Sequence, residues 1–300
     1  MTEKRVYNFS AGPSMLPVAV LEKAAKQMLN YEGSGMSVME MSHRSSSYLD
    51  IFEKTKGLLK KVMNVPENYK IVFIQGGATQ QFSMVPLNLL KNGKADYAIT
   101  GAFSKKAAAE AKKYGDIHIV YDGSSNDFKH IPTQDELDLS KDASYLHICA
   151  NNTIYGTEWK YVPETNGVPI IADMSSNILS KPVDVSKYGM IYAGAQKNMG
   201  IAGLGVAIIR EDLLQDVAKT RNEKKAKLVY DYLDQSTFYK AHSDKENRSL
   251  MNVTFTTPNK DLDAKFVKES IEAGMTNLKG HRSVGGIRAS IYNAMPYEGV

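Results

Sequence analysis

The chain has 300 residues, a formal net charge of +4, and 43% hydrophobic against 23% charged residues, the balance of a globular protein long enough for one large domain or two unequal ones. Its lysines are mixed with acids rather than gathered in one block, which argues against nucleic acid as the partner and leaves small anionic ligands open. The single cysteine, Cys149, excludes an intrachain disulfide and a cysteine-based metal site, and the longest uncharged apolar run, Ile201–Ile209, is too short to cross a membrane; the expectation is a cytoplasmic protein without a metal.

Residues 8–17, Asn-Phe-Ser-Ala-Gly-Pro-Ser-Met-Leu-Pro, are rich in turn formers and predict an ordered arm, after which Pro17 opens a helix to about Asn30. The stretch Ser34–Ser47 reads as a polar loop carrying His43 and Arg44, either surface groups or anion contacts. Apolar residues recur at helical spacing from Tyr48 to Met63, with lysines on the solvated face. Lys70–Gln75 then reads as a strand that runs into Gly76-Gly-Ala-Thr-Gln-Gln-Phe82 and a helix. A strand, a glycine turn and a helix start make an anion site, because the first N–H groups are unpaired and the helix dipole is positive there. Neither a Gly-x-Gly-x-x-Gly fingerprint nor a Walker lysine motif occurs at this point, which weakens a dinucleotide or ATP reading and leaves another cofactor's phosphate.

Asp96–Thr100 is the next strand, with Phe103 at the corner into a helix rich in Ala and Lys, placed either in the core or against a planar ring. Tyr145–Ala150 follows as a strand capped by Asn151-Asn-Thr-Ile-Tyr-Gly156, where Thr153 is a candidate to bond a cofactor hydroxyl. Val168-Pro-Ile-Ile-Ala-Asp173 reads as a buried strand ending in a carboxylate, and such ends face the ligand crevice of an open α/β sheet. Lys197 lies 24 residues further on, held among Gly194, Ala195 and Gly200. A lysine in a tight site can form a Schiff base, and pyridoxal phosphate enzymes need such a lysine together with a carboxylate that keeps the pyridine nitrogen protonated. The alternative is a surface lysine in a Gly-rich turn and an aspartate that caps a helix.

Strands near 70, 96, 118, 145, 168, 190 and 205, with helices between several of them, predict an α/β fold with a mostly parallel seven-stranded sheet and flanking helices. Beyond Arg210 a charged helix over Lys219–Leu233 and an alternating strand over Leu250–Phe255 predict a smaller α+β domain. The expected division is 18–221 for the large domain and 222–300 with 1–17 for the small one. In the latter, His281, Arg282 and Arg288 lie within a glycine-rich stretch, suited to carboxylates or phosphates or else an ordinary basic loop.

The motifs Asn8-Phe-Ser-Ala-Gly-Pro-Ser14, Met41-Ser-His-Arg44, Gln75-Gly-Gly-Ala-Thr-Gln-Gln-Phe82, Ala193-Gly-Ala-Gln-Lys-Asn-Met-Gly200 and Gly280-His-Arg-Ser-Val-Gly-Gly-Ile-Arg288 together resemble the phosphoserine aminotransferases, a family of class V, fold-type I pyridoxal phosphate enzymes, over nearly the whole chain. The resemblance implies that Lys197 carries the cofactor's Schiff base and Asp173 pairs with its pyridine nitrogen. It implies phosphate contacts from the Ala78 and Thr79 N–H groups and from Gln196, a Thr153 contact near the phenolic oxygen, and a Phe103 ring stacked where many members have tryptophan. Arg44 with His43 would bind the substrate's distal anionic group, Arg288 its α-carboxylate, and His281 with Arg282 the phosphate or distal carboxylate. The implied activity is amino transfer between L-glutamate and 3-phosphohydroxypyruvate in serine biosynthesis, with an analogous pyridoxine-pathway substrate, by a homodimer whose sites lie at the subunit interface.

One departure stands out. The resemblance implies several dozen more residues between Val217 and Ala218, including an Asn-Thr-Pro-Pro stretch that reaches the partner's cofactor phosphate, and a last helix beyond Gly299-Val300. The gap predicts either a shortened protein or, preferably, a broken backbone at Val217–Ala218 or a pair within a few positions, with Cα atoms well beyond ~3.8 Å. Cysteine desulfuration, alanine-glyoxylate transamination and a non-enzymatic binding role are the rival readings; for the first, Cys149 in an apolar strand is badly placed.

Overall fold

The computed structural model describes residues 5–214, 217–292 and 295–300, without the side chains of 217–221. It divides into two compact units, Met1–Gln215 and Asp216–Val300. The first unit holds, in chain order, α1 (Val18–Gln27), α2 (Ser46–Val62), β1 (Tyr69–Gln75), α3 (Gln81–Leu89), β2 (Lys94–Ile99), α4 (Ala102–Ala111), β3 (Asp116–Asp122), β4 (Leu146–Cys149), the short pair β5 (Asn151–Asn152) and β6 (Thr157–Glu158), then β7 (Ile170–Asp173), β8 (Met190–Gly194) and β9 (Leu204–Arg210).

Seven of these strands form one sheet in the order β1-β9-β8-β7-β4-β2-β3. From β8 to β3 all neighbours are parallel, while β9 runs antiparallel to both β8 and β1. The expected mostly parallel seven-stranded sheet is therefore present. Its central strands β4, β7 and β8 are buried at every residue, which is why they read as continuous apolar runs rather than as alternating ones.

Alternation along these strands still sorts side chains between two cores. Ile170, Ala172, Ile191 and Ala193 pack with Leu59 of α2 on one face. Ile171, Met190, Tyr192 and Tyr97 pack with Phe82, Val85, Ala107 and Ala111 of α3 and α4 on the other. Each isoleucine, leucine, valine or methionine so buried contributes roughly 1.5–3 kcal/mol. Asp173, two residues past Ile171, falls on the second face at a carboxyl strand end.

The second unit contains α5 (Val217–Gln235), β10 (Lys240–Ala241), β11 (Asn252–Thr256), α6 (Lys260–Glu272) and β12 (Ile287–Ser290). The three strands make an antiparallel sheet, β10-β11-β12. Its core is Ala226, Tyr230, Leu233, Val253, Phe255, Ile287 and Ile291. The alternation expected over Leu250–Phe255 appears in β11, where Val253 and Phe255 are buried and their neighbours half-buried.

Two expectations are corrected. Val217 and Ala218 are successive residues of one helix, so the backbone does not break between them; Gln215 and Asp216 lie outside the described residues. The arm before α1, expected with the small domain, groups with the first unit, because Ser14 N–H donates to the Gln196 carbonyl at 2.9 Å and the Ser14 hydroxyl to that of Lys197.

Candidate active site

The carboxyl ends of β4, β7 and β8 bring the first unit's chemistry together. Beyond β8 the chain turns through Ala195–Gly200, and Lys197 leaves this turn half-buried. Its Nζ donates to Thr153 Oγ1 at 2.6 Å and lies 5.1 Å from the centre of the Phe103 ring. Thr153 follows β5, and Phe103 stands in the first turn of α4, so a lysine, a hydroxyl and an aromatic face from three separate segments meet. The arm closes over the lysine stem: a Cβ on Gly12 would sit 3.1 Å from Lys197 Cγ.

Asp173 is buried at the end of β7. Its Oδ1 accepts from Ser175 N–H at 2.9 Å and from Ser175 Oγ at 2.6 Å, while Gly194 N–H donates to the same Ser175 hydroxyl at 3.0 Å. Burial raises the Asp173 carboxyl above its ordinary value, opposed by the Ser175 hydrogen bonds, the Lys197 charge and the Tyr192 hydroxyl. A buried carboxylate held by fixed donors and a cation suits a protonated ring nitrogen.

Between β1 and α3, Ala78 and Thr79 lie in a 3-10 turn entered through Gly77. The first hydrogen bond of that turn is Gln80 N–H to the Gly77 carbonyl, so the N–H groups just before it stand outside the ladder and suit an anion. Gly194 has no side chain here, and a Cβ on it would lie 3.2 Å from Ala78 N and 2.9 Å from Gln196 Oε1. Gln196 Oε1 is itself buried without a partner among the described residues. Ala78 and Gln196 thus share one small cradle.

The candidate anion-binding residues belong to both units. His43 and Arg44 are exposed in the loop before α2, and the Arg44 N–H bonds the Ser42 hydroxyl at 3.3 Å. His281, Arg282 and Arg288 belong to the second unit. His281 Nδ1 is 2.7 Å from Ser283 Oγ, Arg282 is exposed, and Arg288 is half-buried in β12 with its Nε unpartnered among the described residues.

Sequence reasoning overlooked Ser175, Ser14 and Tyr192. The Asp173-Met-Ser175 spacing is an Asx-turn signal that would have revealed the first. The others are brought in by tertiary packing alone.

The class V aminotransferase family (Aminotransferase class-V) matches residues 6–222 and 215–300. The two stretches meet where the resemblance implied further residues. A phosphoserine aminotransferase of Bacillus cereus is 45% identical over an aligned span of 344 residues, covering 99% of this chain and 96% of the relative; one of Acinetobacter baylyi is 46% identical over the same shares. That span exceeds the 300 residues present here, so these relatives carry residues this chain lacks. Among solved structures, phosphoserine aminotransferase from Bacillus circulans subsp. alkalophilus superposes with a TM-score of 0.70 at 41% identity, covering 98% of this chain and 95% of that one. A pyridoxal-phosphate-bound phosphoserine aminotransferase from Trichomonas vaginalis gives a TM-score of 0.66 at 36% identity, with 98% and 97% covered. Matched over almost its entire length in sequence and in fold, with a buried carboxylate and a half-buried lysine at adjoining strand ends, this chain belongs to the aminotransferase class V family.

Proposed function

We propose that the chain is a pyridoxal-phosphate-dependent aminotransferase that exchanges an amino group between L-glutamate and 3-phosphohydroxypyruvate, giving O-phospho-L-serine and 2-oxoglutarate. The observation that carries this reading is the Lys197–Thr153–Phe103 cluster beside buried Asp173, in a chain whose relatives are named phosphoserine aminotransferase. The residues fit the cofactor. The bare Gly194 leaves room beside Ala78 N–H for a phosphate, and turning the Gln196 amide over would present its NH2 to that anion in place of the partnerless Oε1.

Bound pyridoxal phosphate supplies an aldehyde and a ring that accepts the electron pair of the substrate α-carbon. Lys197 Nζ, oriented by Thr153, would as the free amine take the proton from the glutamate α-carbon and, in the reverse half-reaction, deliver a proton to the α-carbon of the new amino acid. Asp173 would hold a proton on the ring nitrogen, and Phe103 would lie against the ring and keep water from it. Ala78, Thr79 and Gln196 bind the phosphate. His43, Arg44, His281, Arg282 and Arg288 bind the substrates' anionic groups, and both substrates carry such a group at each end, which suits arginines of two kinds.

In this reading the first unit is the cofactor domain and the second the smaller domain. The protein acts as a homodimer, with the Arg44 loop of one subunit serving the other's site. Phe9 is 95% exposed, Tyr7 81%, and α1 buries no residue within the subunit, an apolar surface that a second copy would cover. Among the described residues no helix is long and apolar enough to cross a membrane, in keeping with a cytoplasmic enzyme.

The test is an absorbance scan of the protein with pyridoxal phosphate, followed by L-glutamate. A near-visible band that changes on adding glutamate, with 2-oxoglutarate formed, is the expected result. No band and no keto acid would reject the reading in favour of a binding role.

A further inference from the structure

The loop that carries Thr153 is bound on both sides by residues to which the proposed reaction assigns no part. Asn151, Asn152 and Thr153 are consecutive, and each reaches a different segment. Asn151 Nδ2 donates to Ser176 Oγ at 2.8 Å, and that hydroxyl donates back to the Asn151 carbonyl at 2.9 Å, which ties the loop to the stretch beyond β7 that holds Asp173. Asn152 bonds instead to the end of β2, where α4 begins. Thr153 Oγ1 accepts from Lys197 Nζ.

Asn152 is 3% exposed, and Thr100, the residue after β2, is fully buried. Asn152 Nδ2 donates to Thr100 Oγ1 at 3.2 Å and to Thr157 Oγ1, its partner across the β5–β6 pair, at 3.1 Å. The Asn152 carbonyl accepts from the Tyr155 and Gly156 N–H groups at 3.2 and 2.8 Å, which closes the turn between those strands. The side chain also lies against Gly101: a Cβ there would stand 2.5 Å from Asn152 Oδ1 and 3.3 Å from Asn152 Cβ. Only a backbone without a side chain lets the two come so close. Turning the amide out of this position would leave a buried polar group without its partners. Gly101 leads directly into α4, whose first turn carries Phe103. Asn152 therefore sets where the Thr153 hydroxyl stands relative to the Phe103 ring, and Lys197 Nζ meets both, 2.6 Å from the hydroxyl oxygen and 5.1 Å from the ring centre.

We propose that Asn152 is a positioning residue for the reaction: by bonding Thr100 and packing on Gly101 it fixes the Thr153 hydroxyl against the Phe103 corner, and so fixes the Lys197 amine that this hydroxyl orients. The inference rests on the function proposed above and adds one residue to it. A misplacement of ~1 Å at a reacting group can cost about a hundredfold in rate. A residue that prevents such a shift acts on kcat rather than on substrate binding.

The experiment compares the parent, Asn152→Leu, Thr153→Val and the double variant, each loaded with pyridoxal phosphate. Leucine keeps the branch at Cγ and removes both polar atoms. Two quantities are read: the circular dichroism of the near-visible cofactor band, which reports how firmly the site orients the ring, and kcat and KM for L-glutamate. Asn152→Leu is expected to lose about half or more of that dichroism and to lower kcat about tenfold or more, with KM within about twofold of the parent. Thr153→Val is expected to lose at least as much. The double variant should then lie within about twofold of Thr153→Val, because the amide acts through a hydroxyl that is already gone. Parental dichroism and kcat in Asn152→Leu overturn the inference, as does a double variant in which the two losses multiply, the behaviour of an amide that only stabilises the fold. Should Asn152→Leu fail to fold by far-ultraviolet circular dichroism, Thr100→Val, which exchanges the hydroxyl partner for a methyl group, decides by the same readings, with parental values overturning the inference. A parent that binds no cofactor would remove the functional reading and this inference together, whereas an active parent with an unchanged Asn152→Leu sinks only the latter.

Discussion

Ser175 fastens Asp173 to the adjoining strand: its hydroxyl donates to Asp173 Oδ1 at 2.6 Å and accepts from the N–H of Gly194 in β8 at 3.0 Å. One side chain thereby orients the carboxylate and ties it to the strand that leads into Lys197. Ser175→Ala would leave the Gly194 N–H without its acceptor and Asp173 with one donor fewer. Hydrogen bonds to charged groups contribute about 1.5–3 kcal/mol, so cofactor affinity should fall roughly tenfold to a hundredfold, measured by equilibrium dialysis. Parental affinity in the variant would show that the serine does not hold the carboxylate.

Lys197→Ala should abolish transamination while retaining part of the cofactor affinity. The contacts proposed for Asp173, Gln196 and Ala78 belong to other residues and would persist without the lysine. Turnover at the parental rate, assayed at matched cofactor occupancy, would remove Lys197 from the chemistry.

Gly194→Ala tests the phosphate cradle. The added Cβ would meet Gln196 Oε1 at 2.9 Å and Ala78 N at 3.2 Å. The glutamine can swing aside but the backbone N–H cannot easily do so, and the volume beside it is the one proposed for the phosphate. Affinity for pyridoxal phosphate should drop more than affinity for pyridoxal, which lacks the group. Equal losses for the two ligands would place the phosphate elsewhere.

Arg44→Ala and Arg282→Ala address substrate choice. Each should weaken binding of dianionic or more highly charged substrates by about tenfold to a hundredfold, the effect of losing a charged hydrogen bond. The preference for phosphohydroxypyruvate over pyruvate is the quantity to measure. If both variants keep it, the substrate assignment fails.

Acid stability should carry the mark of His147. Its imidazole is held down to about 3 by burial, against an unfolded value near 6.5. Below about pH 6.5 the unfolded chain binds a proton that the folded chain excludes, so stability falls with falling pH, by up to ~1.4 kcal/mol per pH unit, until about pH 3. Asp173, raised by burial, acts in the opposite sense at the acidic end of this window. The difference between parent and His147→Gln isolates the histidine. Denaturant midpoints measured from pH 7 to pH 4 should diverge, with the parent losing stability faster, and parallel curves would contradict a buried neutral ring.

The arm, the glycine turn after β1 and the two-unit division could be read in the sequence because local chemistry dictates them: turn formers, unpaired N–H groups at a helix start, and a change of pattern after Arg210. The central strands were equally legible, since a strand buried on both faces must be apolar throughout, and a charge at its end, as at Asp173, marks the crevice. Lys197 and Asp173 stood out for that reason, and the motifs around them carried the family.

Tertiary structure alone decided which groups serve those two. Thr153 and Lys197 are 44 residues apart in the chain, and nothing local makes a threonine hydroxyl the lysine's partner. Ser14 reaches the Gln196 and Lys197 carbonyls across a separation near the length of the unit, which placed the arm with the first unit against expectation. His147 looked like any residue of an apolar strand. Its neutrality follows from burial, and its partner, the Tyr192 hydroxyl, comes from two strands away in the sheet. Pattern and propensity fix which face a side chain takes, but desolvation and hydrogen-bond partners are properties of the packed interior, and at Asp173 these are burial and the Ser175 hydroxyl.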